Sequence, residues 1–248
     1  MSAQPVHWVS VFLDVPADVV DATVGYWSAV TGSTLGEPVG DDGEFLPLQP
    51  SPGDPCLWVQ RIQDGPVSTH PDLYVDDVEA VAEQAVALDA SVVARFDGLV
   101  VLSSPGGLPF CLVRYRGQFA RPEPVGATGR RSLVDQICLD MPPSRFDSEC
   151  AFWAELTGWE LTDGAVQDEF RRLVRPTGIP YAFLLQRLDD EQPRVTAHVD
   201  LSCEDRDAET ARHEALGGHE VRRTDGWTVM RDPAGSTYCN TGKDPGSV

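Results

Sequence analysis

The sequence lacks the features that would place it in several large classes of protein. It has no run of about 18 apolar residues that could cross a bilayer, and no charged-then-apolar secretory leader. Its six cysteines show no C-x-x-C spacing, which disfavours zinc-ribbon and thioredoxin chemistry. It also has no glycine-rich nucleotide fingerprint and no phosphate loop. We therefore expect a cytoplasmic protein whose thiols are reduced.

Positive charge is also scarce. The chain has 39 aspartates and glutamates against 19 lysines and arginines, which gives a formal net charge of −20. This balance disfavours binding to nucleic acid or to an anionic membrane, and it favours a cationic molecule as ligand. A length of 248 residues with 42% apolar residues predicts a globular protein of two domains, each with its own core.

What the sequence does contain is a duplication. Gln136–Pro142 repeats the residue types of Ser10–Pro16, and Trp153 follows Trp27 at the same offset of 126 residues. A repeat of this length far exceeds the periods of solenoids and propellers, so it indicates a whole domain copied in tandem.

The ends of the two copies repeat as well, at an offset of 128 residues. His198–Leu201 matches His70–Leu73, and Asp232–Cys239 matches Ser104–Cys111. We predict a first domain (copy one) over residues 1–116, a linker over 117–131, a second domain (copy two) over 132–242, and a frayed tail over 243–248.

Each copy alternates strands and helices in the same order. The patterns predict strand, helix and three strands, then the same again, which is an α+β fold. The strands with alternating residues have an apolar face that should pack against the helices. Their opposite faces carry His70 and Asp72 in copy one, and His198 and Asp200 in copy two. We expect these polar faces to line a trough.

These motifs resemble the vicinal oxygen chelate superfamily, which includes glyoxalase I, extradiol dioxygenases and bleomycin-resistance proteins. The resemblance rests on Asp-x-Pro, Phe/Tyr-Trp and Thr-Gly early in each copy, and on His-x-Asp-Leu, Asp-Pro-x-Gly and Cys late in each copy. It implies tandem glyoxalase/bleomycin-resistance/dihydroxybiphenyl dioxygenase-like domains, each of two βαβββ modules, with four modules in all around a small-molecule or metal site.

The resemblance also implies positions for metal ligands. They are Ser10, Gln60 (or Trp58), His70 and Cys111 in copy one, and Gln136, Gln186 (or Leu184), His198 and Cys239 in copy two. The pattern of metal-using members has a glutamate at two of the four positions, and both are missing here. One imidazole with one thiol rarely holds a catalytic ion, so we predict no tightly bound metal and no other cofactor.

The polar residues have alternative interpretations. His198 and Asp200 suit general-base catalysis, but a hydrogen-bond network that shapes a ligand pocket is favoured over catalysis. Cys111 and Cys239 are interpreted as thiols that line the pocket, not as nucleophiles. Gln60 and Gln186 are expected to hydrogen-bond either a ligand or the neighbouring strands. Phe12 and Trp58 are expected either to stack on a planar ligand or to fill the core, and core filling is favoured. The full set predicted to bind ligand is Gln136, Asp140, Gln186, His198, Asp200, Cys239, Gln60, His70, Asp72, Cys111, Phe12 and Trp58.

Four other polar residues are interpreted as lying outside the site. Asp232 is expected to begin a turn with Pro233, and His7, His213 and His219 are expected to be surface or edge residues, for which the sequence shows no partner.

The sequence as a whole predicts a protein that binds a small organic molecule without a tightly bound metal, as in sequestration or drug resistance. The alternative is a metal-dependent lyase, isomerase or dioxygenase. Because a tandem copy supplies its own pairing partner, we expect a monomer that acts as an internal pseudo-dimer. A third possibility is that one copy is a scaffold and only copy two binds ligand.

Overall fold

The computed structural model describes residues 5–126, 129–163 and 168–245. Copy one contains two helices and eight strands in the predicted order. They are β1 (Trp8–Pro16), α1 (Val20–Thr31), β2 (Thr34–Leu35), β3 (Phe45–Gln49), β4 (Leu57–Ile62), β5 (Ser68–Val75), α2 (Val78–Ala87), β6 (Ser91–Phe96), β7 (Leu99–Ser103) and β8 (Pro109–Arg114).

Copy two repeats this order after a short linker strand, β9 (Val125–Gly126). Its elements are β10 (Arg131–Met141), a 3-10 turn (Pro143–Arg145), α3 (Phe146–Thr157), β11 (Glu160–Asp163), β12 (Phe170–Val174), β13 (Ala182–Arg187), β14 (Thr196–Cys203), α4 (Arg206–Ala215), β15 (His219–Arg223), β16 (Trp227–Arg231) and β17 (Thr237–Thr241).

Each copy forms one mixed sheet with the same strand order. The first runs β2-β3-β4-β1-β5-β8-β7-β6, and the second runs β11-β12-β13-β10-β14-β17-β16-β15, with β9 paired to β10. The chain therefore has the predicted α+β fold, with two βαβββ modules in each of two tandem domains.

The helix ends follow from local sequence. The Asp77 and Asp205 carboxylates accept hydrogen bonds from the third residue after each, at 3.1 and 3.0 Å, and so begin α2 and α4. Gly32 and Gly158 end α1 and α3 in the left-handed conformation, with φ of 64° and 70°. A side chain at either position would be strained in this conformation, which is why glycine suits the end of both helices.

The contacts within the chain divide it into two compact units, and the boundaries of these units differ from those of the two copies. Unit 1 comprises residues 1–10, 70–119 and 137–197, and unit 2 comprises 11–69, 120–136 and 198–248. Each unit therefore combines the opening module of one copy with the closing module of the other.

The core of unit 1 is built on Trp153 of α3. Its indole contacts Phe110 of β8 at a centroid distance of 5.1 Å and Phe183 of β13 at 5.8 Å. The indole N–H donates to the buried Glu149 carboxylate at 3.0 Å, and this carboxylate also accepts the backbone N–H of Gly106. A Cβ at Gly106 would lie 2.7 Å from the carboxylate, so glycine is needed for this close approach.

The core of unit 2 is built on the equivalent Trp27 of α1. Its indole contacts Tyr238 of β17 at 5.1 Å and donates to Asp232 at 2.9 Å. Asp232 also accepts the N–H groups of Ala234 and Ser236, so it forms the predicted turn. Asp232 is also buried as the acceptor for the Trp27 indole, a second role that the sequence did not predict.

The expectation that His213 lies at the surface is wrong. Its side chain is fully buried in unit 2, with Nδ1 3.0 Å from the Tyr238 hydroxyl and Nε2 3.2 Å from the Glu209 carboxylate. His7 has partners too, since it stacks on Tyr115 and lies 2.9 Å from Asp76. The sequence did not reveal these partners because each is more than 20 residues away or is hidden in the charged pattern of α4.

Candidate functional site

The polar residues of copy one meet on one face of its sheet. His70 and Asp72 are two residues apart on β5, so their side chains point to the same face. The parallel pairing of β5 with β8 places Asp72 opposite Cys111. Phe110, the neighbour of Cys111, contacts Trp153 of α3 on the other face. The His70–Asp72–Cys111 group, named here the copy-one site, therefore lies on the face away from that helix, as predicted.

The copy-one site is buried and compact. His70 Nε2 lies 3.4 Å from Asp72 Oδ1, and one ligand atom from each of the three residues lies within 4.8 Å of the others. His70 is 8% exposed, so the imidazole is not in bulk solvent. Burial, followed by the Asp72 carboxylate, raises the pKa of the Cys111 thiol to about 12. A thiol that is protonated at neutral pH is a poor nucleophile, which agrees with the predicted lining role.

Copy two builds the equivalent group in unit 2. The parallel pairing of β14 with β17 places Asp200 opposite Cys239. His198 Nε2 lies 3.3 Å from Asp200 Oδ1 and 3.5 Å from Cys239 Sγ. Tyr238 packs on Trp27, so Cys239 points to the face away from α1. His198, Asp200 and Cys239, with Gln136, are named here the copy-two site.

Gln136 makes the two sites different. Its amide nitrogen donates to Asp200 Oδ2, and its amide oxygen accepts from the Lys243 ammonium at 3.2 Å. The equivalent residue in copy one is Ser10, whose hydroxyl donates to the Tyr74 hydroxyl at 3.4 Å. The carboxylate of the copy-two site is therefore held by an amide, and this amide has no counterpart at the copy-one site.

Both sites share a buried acceptor that lacks a hydrogen bond. Among the residues that the structure describes, Asp72 Oδ1 and Asp200 Oδ1 have no hydrogen-bond partner. Each lies 3.3–3.4 Å from the neighbouring imidazole nitrogen, a contact close enough for attraction but without hydrogen-bond geometry. A carboxylate oxygen buried in this way loses its hydration without full compensation, unless a water, an ion or a ligand meets it.

The donor atoms also fit a divalent ion of the zinc type. Zinc binds imidazole nitrogen, carboxylate oxygen and thiolate sulfur at about 2.0–2.3 Å, so neighbouring tetrahedral ligands are roughly 3.3–3.7 Å apart. At the copy-one site the His70–Asp72 separation of 3.4 Å lies in this range, and the donor atoms of His70, Asp72 and Cys111 all lie within 4.8 Å of one another. The sequence prediction of no metal counted the imidazole and the thiol and left out the aspartate.

The remaining predicted residues form two further groups. In unit 2, Phe12 stacks on Trp58 at a centroid distance of 5.4 Å, and the pairing of β1 with β4 places Gln60 opposite Asp14. In unit 1, the Cys138 thiol contacts Gln186 at 3.5 Å and Asp140 at 3.8 Å. Phe12 and Trp58 thus contact each other, and their contact with a ligand stays a prediction.

The sequence reasoning missed one member of the copy-two site. Lys243 was placed in a frayed tail, but it is half-buried and donates to Gln136. A signal was present, because Lys243 is the only lysine in the chain and the other 18 of its 19 basic residues are arginines.

The model of a family described as "Glyoxalase-like domain" matches residues 10–113 and again residues 136–241. No curated protein matches the chain. Over the residues described, no helix is both long enough and apolar enough to cross a membrane.

Three solved structures illustrate the likeness in fold. The Mn(II)-bound glyoxalase from Novosphingobium aromaticivorans is 18% identical with a TM-score of 0.65, over 96% of this chain and 82% of that one. The 2,2',3-trihydroxybiphenyl 1,2-dioxygenase from Sphingomonas wittichii strain RW1 is 16% identical with a TM-score of 0.63, over 97% and 90%. The 2,3-dioxygenase from Pseudomonas sp. KL28 is 13% identical with a TM-score of 0.61, over 97% and 93%.

Proposed function

Since the chain belongs to the glyoxalase-like domain family, we propose that it binds a small organic molecule at its two His–Asp–Cys sites and sequesters that molecule without a tightly bound metal. The observation that carries this proposal is the buried carboxylate oxygen without a hydrogen bond, beside an imidazole, in both copies. A ligand that donates a hydrogen bond to this oxygen would recover part of the free energy lost on burial.

The chemistry of the pair supports recognition first. The imidazole can donate or accept, and the carboxylate only accepts, so together they select a ligand with a hydroxyl, amine or other N–H or O–H group. If the pair acts as a base, His198 would take the proton and Asp200 would hold the ring in position. The protonated Cys111 thiol supports lining rather than attack.

A thermal-shift screen tests this function. The full chain, treated with chelator, is screened against thiol adducts, cationic antibiotics and organic acids, since a ligand that binds only the native state raises the Tm. We expect at least one compound class to raise the Tm, and the increase to be lost in the double variant His70→Ala/His198→Ala. His219→Ala, an exposed histidine on β15, is the matched control. Binding that is unchanged in the double variant would contradict the proposal.

The second candidate is a metal-dependent lyase, isomerase or dioxygenase. The observation that favours it is the spacing of donor atoms, and it is clearest at the copy-one site, where no amide occupies the carboxylate. His70, Asp72 and Cys111 would hold the ion, which would act as a Lewis acid on an oxygen of the substrate. Elemental analysis of protein purified without chelators decides between the two. Stoichiometric zinc, iron, nickel or manganese that disappears in His70→Ala would place this candidate first.

We also propose that the protein is a monomer and that it is located in the cytoplasm. All six cysteines are buried and none is in a disulfide, which fits a reducing compartment. The pairing of modules from both copies within each unit supports an internal pseudo-dimer. Light scattering that showed an obligate dimer would contradict the monomer.

A further inference from the structure

Lys243 stands at the copy-two site although the chain has no other lysine. Its ammonium donates to the amide oxygen of Gln136 at 3.2 Å, and the amide nitrogen of Gln136 donates to Asp200. Arginine fills the other 18 basic positions, and several of these arginines, among them Arg95, Arg114 and Arg223, form exposed ion pairs. The compact ammonium therefore occurs once, and it contacts the same amide that holds the buried Asp200 carboxylate.

The spacing between the two charges is set by one amide group. Oε1 and Nε2 of Gln136 are bonded to the same carbon, so the ammonium and the Asp200 carboxylate face each other across a single small group. Gln136 is buried in β10, which fixes this arrangement in the sheet. The Lys243 ammonium only donates hydrogen bonds and the Asp200 carboxylate only accepts them, so together they suit a ligand that carries an acceptor close to a donor.

Asp200 provides the second, independent observation. It is 3% exposed, and its Oδ1 has no hydrogen-bond partner among the described residues. Because Gln136 already holds Oδ2, Oδ1 is the atom at which a ligand can donate.

We propose that the copy-two site binds a small carboxylic acid with a hydroxyl or amino group on the adjacent carbon. The carboxylate of the ligand pairs with Lys243, and its hydroxyl or amino group donates to Asp200 Oδ1. This proposal rests on the proposed binding function and names its ligand class. This ligand class replaces the cationic ligand that the net charge favoured. The net charge describes the whole surface, whereas the charge of the group bound at the site depends on the nearby Lys243 ammonium.

The two sites then differ in selectivity. Position 115 of copy one, equivalent to Lys243, is a tyrosine, and position 10, equivalent to Gln136, is a serine that donates to Tyr74. The copy-one site has neither the amide nor the ammonium, so the acid is expected at the copy-two site.

The single lysine makes a direct test possible. Reductive methylation of the full chain with isotope-labelled formaldehyde labels only Lys243 and the terminal α-amine, and the dimethylated lysine keeps its charge and one N–H. The Lys243→Arg variant assigns the two NMR signals. The probes are lactate and phenyllactate, with alanine and phenylalanine as the amino counterparts, propionate and phenylpropionate lacking the donor, and lactamide lacking the charge.

We expect the Lys243 signal to move with the hydroxy or amino acids and to move far less with the deoxy acids and the amide. The α-amine signal should not move. Lys243→Gln should weaken binding by about tenfold or more, as expected for the loss of a charge-assisted hydrogen bond. Arg231→Gln, which removes one exposed positive charge from the same unit, is the matched control.

Two results would overturn the proposal. One is a Lys243 signal that moves no more than the α-amine signal with every acid. The other is equal binding by Lys243→Gln and Arg231→Gln. If acids bind in either case and binding is lost in His198→Ala, the binding function stands and only the ligand assignment fails. If no acid binds, the assignment fails and the thermal-shift screen decides the function independently.

Discussion

The two units solve the same packing problem with different chemistry. In unit 2, Tyr26 and Tyr238 share a hydrogen bond, and His213 and Glu209 extend it. The equivalent positions in unit 1, offset by 126 or 128 residues, are Phe152, Phe110, Ala85 and Val81. Phe110 and Phe152 pack edge to face at 5.9 Å, with no polar atom in either side chain. A buried network and an apolar cluster can therefore occupy equivalent places in one architecture.

The hydrogen-bond acceptors of Trp27 and Trp153 also differ between the two units. Both indole N–H groups are buried and donate to a carboxylate, but Asp232 comes from a turn and Glu149 from a helix. The exchange is reciprocal, because Ser104 stands where unit 2 has Asp232, and Thr23 stands where unit 1 has Glu149. Ser104 still accepts the N–H of Leu108 at 3.1 Å, so each turn keeps its own support. What the two units share is the requirement for an acceptor, while the residue that meets it differs.

The largest expected effect comes from breaking the unit 2 network at one residue. Glu209→Val leaves Arg212 and His213 without their carboxylate, and removing one partner of a buried ion pair costs about 3–5 kcal/mol of unfolding free energy. Urea denaturation measures the loss. Installing the complete unit 1 set (Tyr26→Phe, Glu209→Val, Arg212→Gln, His213→Ala, Tyr238→Phe) should recover most of it. A fivefold variant less stable than Glu209→Val would show that the two cores are not interchangeable.

A smaller effect is expected at the carboxylate of Trp27. Asp232→Ser leaves a buried indole N–H without its acceptor and should cost about 1–3 kcal/mol. Adding Thr23→Glu places the carboxylate on the helix, as in unit 1, and should restore part of the stability. The double-mutant cycle measures the coupling. Thr23→Glu with Asp232 retained is the control, and it should destabilise the protein because it buries a second carboxylate. Additive effects of the two substitutions would contradict the equivalence.

The smallest expected effect is a difference between the two units in how much stability each loses in acid. Burial lowers the pKa of His213 from its ordinary 6.5. Burial alone would raise the pKa of Glu209, but hydrogen bonds from His213, Arg212 and Ser132 outweigh it and lower that pKa strongly. For both groups the unfolded chain binds protons that the native state does not. The contribution of His213 is therefore complete above its ordinary pKa of 6.5 and is lost as pH falls below it, whereas that of Glu209 is lost only as pH falls below its ordinary pKa of 4.5.

Hydrogen exchange should show this loss as earlier opening of unit 2 than of unit 1 in acid. The fivefold variant, which lacks both groups, should remove the difference. Opening of unit 1 first would contradict the account. The buried Glu149 and Asp232 act with the opposite sign, since burial raises their pKa. Because each unit contains one of them, they should affect the comparison little.

The sequence predicted the elements well because their signals are local. Asp77 and Asp205 cap helices, Gly32 and Gly158 end them, and alternation on β5 and β14 placed each histidine and aspartate on one face. The duplication made each of these patterns visible twice, and the match of one family model to both halves confirms it.

Contacts between distant residues were the part that could not be predicted. His213 appeared to be a surface residue because α4 is highly charged, and its partner Tyr238 is 25 residues away. Asp232 appeared to be a turn residue alone because its indole partner lies 205 residues earlier. The mixing of modules from both copies within each unit leaves no local trace, since it depends on packing alone.

Because each unit combines modules of both copies, the position at which the polypeptide is divided matters. A chain divided within residues 117–131 would give two polypeptides, and each would carry one half of both hydrophobic cores. We expect neither piece to fold alone, because each lacks half of both cores, whereas the two together carry all the residues of both units. The protein is thus a natural candidate for split-reporter complementation, in which recovery of the fold signals that the two pieces have met.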